Sequence, residues 1–342
     1  MATFDERGQD MIPMIPPVTS AMEVFGDWYA EETGLPLPIL RFELEFLAER
    51  PFGVSGYRGS AWRGVFGHAL KRLVCIWRER DCPRCLVAKN CAYPYLFETP
   101  MTRGNEEREE ASPHPFLLEI GGGWGQRVIE RERLTVTLLG EGCKNWPYVL
   151  QALREAGGMG FGPQKTRMEL QSIRQENPAG SGQWGLAWQA GEPVTVLPPS
   201  APVAPPQPEV FRMHLSTPVR LRLQQSLVSV NELTPLVFLE AVERRASMLG
   251  KLHGDGRASG GPRRAARWAE RVRVLHRNLR WQDWERYSNR QKRKILMGGI
   301  TGEWEWAMEE DWDGWEVLWA FQWLHVGKGT SMGLGKYAIE VL

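Results

Sequence analysis

The clearest pattern near the start of the chain is an alternation of apolar and charged side chains from residue 39 to residue 47. One side carries Leu40, Phe42, Leu44 and Phe46, and the other carries Arg41, Glu43 and Glu45. Because successive side chains of a strand point to opposite faces, this alternation predicts a half-buried strand. Apolar residues then recur at helical spacing from Ala61 to Val74, and Ser60 stands where a helix cap is expected.

Further segments complete one folding unit. The pattern predicts strands over residues 93–98, 116–120, 133–139 and 167–173, and a helix over residues 145–155. The order is therefore strand, helix, strands, helix, strand. This order is that of a ferredoxin-like βαββαβ domain with its helices on one face.

The second part of the chain repeats the plan. An alternating strand starts at Val210, and Thr234 can cap a helix that begins with Pro235. The remaining segments are a short basic helix over 262–275, two hairpin strands over 279–287 and 294–306, an apolar helix over 315–324 and a final strand over 338–342. The fold class is therefore α+β, with two tandem ferredoxin-like (βαββαβ) domains.

Glycine-rich loops stand at corresponding places in the two units. The first contains Met159-Gly160-Phe161-Gly162, the second contains Met332-Gly333-Leu334-Gly335, and each lies between a predicted helix and a closing strand. Glycine has no Cβ, so such loops can bring backbone N–H groups close to an anion. The repeat indicates two copies of one domain.

A proline-rich stretch separates the copies. Seven prolines lie between residues 191 and 209, where no regular element is expected. We therefore predict an N-terminal domain over residues 36–190, a linker over 191–209 and a C-terminal domain over 210–342.

Composition is that of a globular protein, with 42% hydrophobic residues and no apolar run of about 18 residues that would span a membrane. The first residues lack the basic start and apolar core of a signal peptide, so we expect a cytoplasmic protein without a membrane partner. The formal net charge is only +1, but the segment from Arg257 to Lys294 is strongly basic, with thirteen Lys/Arg and three acids.

A basic face on a nearly neutral chain points to a polyanion such as RNA or DNA. The candidate contacts within the basic helix are Arg263, Arg264, Arg267 and Arg271. A solvated helix surface is the alternative interpretation of these arginines.

Four cysteines form a separate cluster, Cys75, Cys82, Cys85 and Cys91, with the spacing C-x6-C-x2-C-x5-C. In a cytosolic protein, close thiols of this kind are more often metal ligands than disulfides. Four thiolates suit a structural zinc ion, and an iron–sulfur cluster or free thiols remain open. We therefore expect a cysteine-rich insertion in the first domain.

These stretches together resemble the RAMP superfamily of repeat-associated RNA-binding proteins. The motifs that carry the resemblance are Arg58-Gly59-Ser60-Ala61-Trp62-Arg63-Gly64, the cysteines followed by Tyr93-Pro94-Tyr95-Leu96-Phe97-Glu98-Thr99, and the glycine-rich loop from Gly327 to Lys336. Within the superfamily, the chain is most similar to the CRISPR precursor-RNA processing endoribonucleases, the Cas-six family. The resemblance covers residues 36–342.

The resemblance implies an endoribonuclease that binds CRISPR repeat RNA and cleaves it without a catalytic metal. The ribose 2′-hydroxyl attacks the adjacent phosphate and leaves a cyclic phosphate, which requires a base, an acid and cations. The implied catalytic residues are His68, Lys71 and Tyr57, while His253 and His325 are the other histidines considered. The implied phosphate contacts are Gly327, Lys328, Gly329, Gly333, Gly335 and Lys336.

Two other functions stay open from the sequence. The first is a non-catalytic RNA-binding subunit of a CRISPR effector, in which other effector subunits would be partners. The second is an enzyme with a phosphate-bearing ligand, although the G-x-x-x-x-G-K-[S/T] pattern of nucleotide-binding loops is absent.

Overall fold

A computed structural model gives the structure of most of the chain. It describes residues 37–342 except 55, 78–80, 99–111, 123–124, 126, 163, 224–225, 257–259 and 289–292. No helix within these described ranges combines the length and the apolar character that crossing a membrane requires.

The first unit is a five-stranded antiparallel sheet with two helices. Its elements are β1 (Ile39–Val54), α1 (Gly59–Val74), β2 (Phe116–Ile120), β3 (Arg127–Leu139), α2 (Trp146–Gly157), β4 (Met168–Glu176) and β5 (Trp184–Gln189). The strand order is β2-β3-β1-β4-β5. The first four strands thus have the order expected of a ferredoxin-like fold, and β5 extends the sheet at one edge.

The second unit repeats this arrangement. Its elements are β6 (Val210–Val219), β7 (Arg222–Leu223), β8 (Ser226–Leu227), α3 (Pro235–His253), α4 (Pro262–Glu270), β9 (Val272–Gln282), β10 (Glu285–Ser288), β11 (Arg293–Leu296), β12 (Gly299–Met308), α5 (Trp315–Leu324) and β13 (Tyr337–Val341). The main sheet has the order β13-β6-β12-β9, and β7–β8 and β10–β11 form short hairpins. The predicted pair of ferredoxin-like units is confirmed.

Strand β1 and helix α1 form as their patterns predict. Phe42 and Phe46 are fully buried on the face of β1 that meets the helix, and the ring of Phe46 lies 4.9 Å from that of Trp62. Burial of large apolar side chains of this kind contributes about 1.5–3 kcal/mol each. In the second unit, the Val237 N–H donates to the Thr234 side chain at 3.3 Å, so the predicted cap at Thr234 is confirmed.

The segment Tyr93–Glu98 was predicted as a strand, and this prediction is wrong. Residues Pro94–Glu98 form a helical turn of the π type instead. The Phe97 ring packs 5.1 Å from that of Phe66, and the same ring lies where a Cβ at Gly67 would be. Packing of these aromatic side chains against helix α1 therefore outweighs the strand preference of tyrosine and phenylalanine.

Two helix boundaries also differ from the predictions. Helix α1 begins at Gly59 after Arg58, and no side chain caps it, so Ser60 is not its cap. The basic helix ends at Glu270, and Val272 already pairs with Met308 in the sheet. The β-branched and apolar residues after Arg271 thus join the sheet edge instead of extending the helix.

The two units pack against each other and share one apolar core. Leu37, Ile39, Leu117 and Leu139 of the first unit belong to the same buried cluster as Phe238 of the second. The proline-rich stretch runs between them without a helix or strand, and the Pro205 carbonyl accepts a hydrogen bond from the Trp315 indole at 2.8 Å. The domain boundary at residues 191–209 stays a prediction.

Candidate nucleic-acid interface

The glycine-rich loop that follows α5 is held against the start of helix α1. The Tyr57 hydroxyl donates a hydrogen bond to the Met332 carbonyl oxygen at 2.5 Å. A Cβ at Gly59 would collide with the same carbonyl, and a Cβ at Gly333, where φ is 91°, would collide with the Tyr57 hydroxyl. Glycine is therefore required on both sides of this contact, which fixes the loop to the first unit.

The second half of the loop faces the protein interior. The amide of Gly333 donates to the Thr330 carbonyl at 2.8 Å, and the amide of Gly335 donates to a carbonyl of strand β6 at 3.1 Å. The Lys336 ammonium group forms an ion pair with the Glu119 carboxylate. Gly333, Gly335 and Lys336 were predicted to bind phosphate. In the structure the two glycine amides donate to backbone carbonyls, and the Lys336 ammonium pairs with Glu119.

Glu119 lies at the centre of a buried charge cluster between the two units. Arg41 bonds Glu119 at 3.2 Å and also pairs with Glu176. Burial alone would raise the pKa of the Glu119 carboxyl, but the charges of Lys336 and Arg41 outweigh it and lower this pKa to about 2. His325 is fully buried beside this cluster, with its Nε2 atom 3.8 Å from Glu119.

The first half of the loop lines a basic pocket between the units, which we call the interdomain pocket. Its volume is about 310 Å³, and its lining includes Gly327, Gly329 and Thr330. The charged and titratable side chains on its walls are Arg220, Arg222, Arg244, Arg245, Lys328 and His114. No carboxylate side chain of the described residues lines it. A concave surface with several cations and no acid favours a polyanion.

The amides of Gly327 and Gly329 remain available in this pocket. Within the described ranges, no hydrogen bond occupies either N–H group. The neighbouring Lys328 amide is used differently, because it donates to the Arg220 carbonyl at 2.9 Å. Free amides beside cationic side chains form the kind of concavity that binds phosphate oxygens.

Arg63 connects helix α1, the loop and the pocket wall. Its Nε donates to the Ser331 hydroxyl at 2.9 Å, and its Nη2 lies 3.0 Å from His114 Nε2. The guanidinium carbon also lies 5.2 Å from the centre of the Phe97 ring. An imidazole nitrogen that faces a guanidinium acts as the acceptor, so this contact orients the His114 ring.

His114 is held as a neutral imidazole. Burial and the positive charge of Arg63 lower the pKa of His114 to about 4. A bound phosphate group would counteract the charge of Arg63 and raise this pKa toward neutrality. Of the six histidines in the chain, His114 is the one that lines the interdomain pocket. His114 was not among the predicted site residues because no motif surrounds it in the sequence.

The three predicted catalytic residues lie in different surroundings. His68 is exposed on helix α1 and does not line the interdomain pocket. The Lys71 ammonium group lies over the Tyr93 ring at 4.8 Å, beside the cysteine segment. Tyr57 is buried beneath the glycine-rich loop, and burial raises its pKa well above the ordinary value. The structure therefore leaves His68 and Lys71 about one turn apart on helix α1 and places the Tyr57 hydroxyl elsewhere, on the Met332 carbonyl.

The other two histidines considered are buried. His253 is the last residue of helix α3 and only 1% exposed. Its Nε2 lies 2.8 Å from the Pro113 carbonyl and its Nδ1 lies 3.0 Å from the Tyr95 hydroxyl. His325 ends helix α5, and its Nδ1 lies 3.1 Å from the Leu334 carbonyl. These contacts are structural.

The predicted basic helix presents only part of its charge to solvent. Arg263 and Arg267 are exposed. Arg264 pairs with the buried Glu243 at 2.7 Å, and Arg271 pairs with Glu309 at 3.1 Å. The two exposed arginines are therefore better placed for RNA than the two paired ones.

The four clustered cysteines approach one another without forming a metal-binding geometry. All four line one cavity of about 20 Å³, which suits the chemistry of a four-thiol site. Within the described ranges, however, no three His, Cys, Asp or Glu residues are arranged to hold a metal ion. Cys75 instead donates to the Trp77 carbonyl at 3.3 Å. The expected zinc stays a prediction, and the cysteine-rich segment is not confirmed as a metal-bound insertion.

Two protein-family models each match one part of the chain. A model described as CRISPR-associated endoribonuclease Cas6 matches residues 213–337, which include the glycine-rich loop and the four arginines that line the pocket. The second unit of the chain is therefore similar to the Cas6 family. A second model, described as an N-terminal domain, matches residues 37–199.

A curated relative of the chain is an uncharacterized protein of Archaeoglobus fulgidus. It is 29% identical over 119 residues, which cover 34% of this chain and 39% of that relative. The matched segment thus spans well under two thirds of the relative's length.

Solved structures support the fold. One Cas6 product complex has a TM-score of 0.52 at 19% identity and another has 0.51 at 17%, each covering 89% of this chain and 99% of the other. A partial Cas6-RT-Cas1–Cas2 complex has a TM-score of 0.51 at 13% identity, covering 89% of this chain and 46% of that one. At these identities the likeness establishes the tandem ferredoxin-like fold.

Proposed function

We propose that the chain binds CRISPR precursor RNA in the interdomain pocket and cleaves it within the repeats. The observation that carries the proposal is the position of the pocket in the Cas6-matched region. Gly327, Lys328 and Gly329 of the glycine-rich loop form one wall, and arginines of the second unit form another. The product complexes of similar Cas6 structures support RNA as the ligand.

The proposed reaction is attack of a ribose 2′-hydroxyl on the adjacent phosphate. The 2′-oxygen forms a new bond to phosphorus, the bond to the 5′-oxygen of the next nucleotide breaks, and a cyclic phosphate and a 5′-hydroxyl result. One group must take the 2′ proton, another must protonate the leaving oxygen, and cations must stabilise the extra charge on the phosphate.

We assign the proton-accepting role to His114, which lines the pocket; its Nε2 becomes free to take the 2′ proton when Arg63 turns from the imidazole to a bound phosphate. RNA phosphates near Arg63 would raise the pKa of His114 toward neutrality and make it a stronger base. Lys328 and Arg244 supply charge for the phosphate. His68 is the alternative, and single-turnover cleavage by His114→Ala and by His68→Ala distinguishes the two histidines.

Independence from a catalytic metal is part of this proposal, as is a cytoplasmic location. The family resemblance and the histidine and arginine content of the pocket support a proton-transfer mechanism. Other CRISPR proteins are proposed partners, with support from the similarity to Cas6 in a complex with reverse transcriptase, Cas1 and Cas2.

A non-catalytic RNA-binding subunit is the second candidate. The observation that favours it is that the Tyr57 hydroxyl is bound to the Met332 carbonyl and the Lys71 ammonium lies over the Tyr93 ring, so that neither is directed to a common site with His68. Such a subunit would bind repeat RNA through the same pocket without breaking it.

One experiment distinguishes the two candidate functions. Purified protein is incubated in EDTA with repeat RNA from its own locus and with an unrelated hairpin of equal length. The proposal predicts tight binding and cleavage of the repeat RNA alone, with a cyclic phosphate end. Tight binding without cleavage supports the second candidate, and equal weak binding of both RNAs contradicts each.

A further inference from the structure

Arg245 is a buried cation in the interdomain pocket, and no acid in the part of the chain that the structure describes balances its charge. The residue is 8% exposed, and its Nε donates to the Leu324 carbonyl at 3.1 Å. Within the described ranges, its Nη2 is buried without a hydrogen-bond partner. Burial lowers the pKa of Arg245 to about 10, and among the described residues no carboxylate offsets this effect.

An unbalanced buried charge is costly for a folded protein. Taking a charged group out of water costs several kcal/mol unless a partner compensates, and breaking a buried pair is similarly expensive. The end of helix α5, at Leu324, offers Arg245 only a partial negative charge through its carbonyl. Stability alone therefore gives no reason for a guanidinium here, whereas a bound anion would.

The surroundings of Arg245 favour a phosphate group as the bound anion. The pocket also contains Arg220, Arg244 and Lys328, and the amides of Gly327 and Gly329 are unoccupied within the described ranges. A guanidinium binds phosphate oxygens with two parallel N–H donors, and glycine amides allow close approach. A pocket of about 310 Å³ has room for such a group and part of its nucleotide.

We propose that Arg245 forms a phosphate subsite that binds one internal phosphodiester of the RNA and positions it for cleavage. The proposal rests on the proposed function and goes further by assigning one fixed contact to one residue. Exposed arginines supply attraction that salt screens, whereas a buried guanidinium holds its ligand in a defined geometry. Arg245 is thus a positioning residue, and it acts on the rate more than on the affinity.

The first test uses inorganic phosphate and needs no RNA cleavage. The melting temperature of the full chain is measured in phosphate and in chloride at equal ionic strength, for wild type, Arg245→Gln and Arg131→Gln. Arg131 is a matched control because its side chain is 59% exposed on strand β3, away from the pocket.

We expect phosphate to raise the melting temperature of wild type and Arg131→Gln by several degrees more than chloride does. Arg245→Gln should lose this rise and should melt in chloride at or above the wild-type temperature, because an uncompensated charge is gone. A phosphate-specific rise that survives in Arg245→Gln, or is missing from wild type, would overturn the proposal. Arg245→Lys keeps the charge without the two-pronged donor and serves if the glutamine variant fails to fold.

The second test separates positioning from binding and identifies the kind of phosphate. Single-turnover cleavage is measured on repeat RNA with hydroxyl ends and on the same RNA with a 5′-phosphate. Arg245→Gln should lower the maximal rate about tenfold or more on both RNAs while the Kd changes less than about threefold. A loss confined to the phosphorylated RNA would mean a terminal-phosphate site instead.

Failure of the subsite can be distinguished from failure of the proposed function. If wild type does not cleave repeat RNA, the proposed function fails, and the phosphate melting experiment still decides whether Arg245 binds an anion. If wild type cleaves and Arg245→Gln cleaves equally fast, the positioning role fails while the proposed function stands.

Discussion

The hydroxyl of Tyr57 donates a hydrogen bond to the carbonyl oxygen of Met332, 275 positions further along the chain. This contact connects the start of helix α1 in the first unit to the glycine-rich loop of the second. The sequence suggested a chemical role for Tyr57, but its burial under the loop fits a role in holding the loop in place. Two matched substitutions separate these roles.

Tyr57→Phe should lower the free energy of unfolding by about 1–2 kcal/mol, because the buried carbonyl loses its donor. The maximal single-turnover rate should fall only moderately, since the loop is displaced and no proton-transfer group is lost. Urea unfolding and rapid-quench cleavage measure the two effects, with Tyr148→Phe as a control at a half-exposed position. Unchanged stability with a rate loss of about 100-fold would instead assign Tyr57 to the chemistry.

The two lysines of the glycine-rich loop should behave differently. Lys328→Ala should weaken RNA binding, because Lys328 lines the interdomain pocket. The slope of the logarithm of the affinity against the logarithm of the salt concentration should fall by about one, as expected for one lost phosphate contact. Lys336→Ala should leave the salt dependence unchanged and cost about 1–3 kcal/mol of stability, because Glu119 loses a partner. Binding titrations at several salt concentrations and thermal melts check both. Equal losses of salt dependence would show that Lys336 also faces RNA.

Stability should depend on pH through the buried His325. Burial lowers the pKa of His325 to about 4, so the unfolded chain takes up a proton between about pH 6.5 and 4 while the folded chain does not. The free energy of unfolding should therefore fall across this window as the pH is lowered, by up to about 1.4 kcal/mol per pH unit for this group.

His325→Asn provides the comparison, because asparagine tolerates the left-handed φ of 56° at this position. Its unfolding free energy should depend less steeply on pH between 6.5 and 4 than that of wild type. Parallel curves for the two proteins would mean that His325 does not carry the effect.

The cysteine cluster gives a prediction about metal content. Protein purified without chelator should contain about one zinc per chain, and the double substitution Cys82→Ser and Cys85→Ser should remove the zinc and lower the melting temperature. Cys143→Ala is the control, since Cys143 lies buried outside the cavity that the other four line. Elemental analysis that finds neither zinc nor iron in wild type would count against a structural metal.

Much of the fold could be predicted because its strands are strongly patterned. Residues such as Phe42 and Phe46 alternate with charges, and their burial follows directly from that alternation. The prediction of a strand over Tyr93–Glu98 was wrong because the aromatic residues of this segment pack against Phe66 and Gly67, a contact that no local pattern shows. The glycine-rich loop was recognised because its motif is continuous in sequence.

The rest of the candidate site could not be predicted in the same way. The interdomain pocket is assembled from segments near His114, Arg220, Arg245 and Lys328, which are far apart in sequence and meet only when the two units pack. His114 has no motif around it, and the unbalanced charge of Arg245 is visible only from its burial. Conversely, the sequence suggested that the charge of Lys336 was available to bind phosphate, but in the structure it is paired with Glu119.

The most direct test of the account is the single-turnover cleavage rate of His114→Ala beside that of His68→Ala, with protein in excess over repeat RNA and EDTA present. If the reaction occurs in the interdomain pocket, His114→Ala should be roughly 100-fold slower or more while binding RNA with nearly wild-type affinity. His68→Ala should cleave at close to the wild-type rate, since His68 lies outside the pocket. A near-normal rate for His114→Ala together with a large loss for His68→Ala would contradict the account and place the chemistry on the exposed face of helix α1.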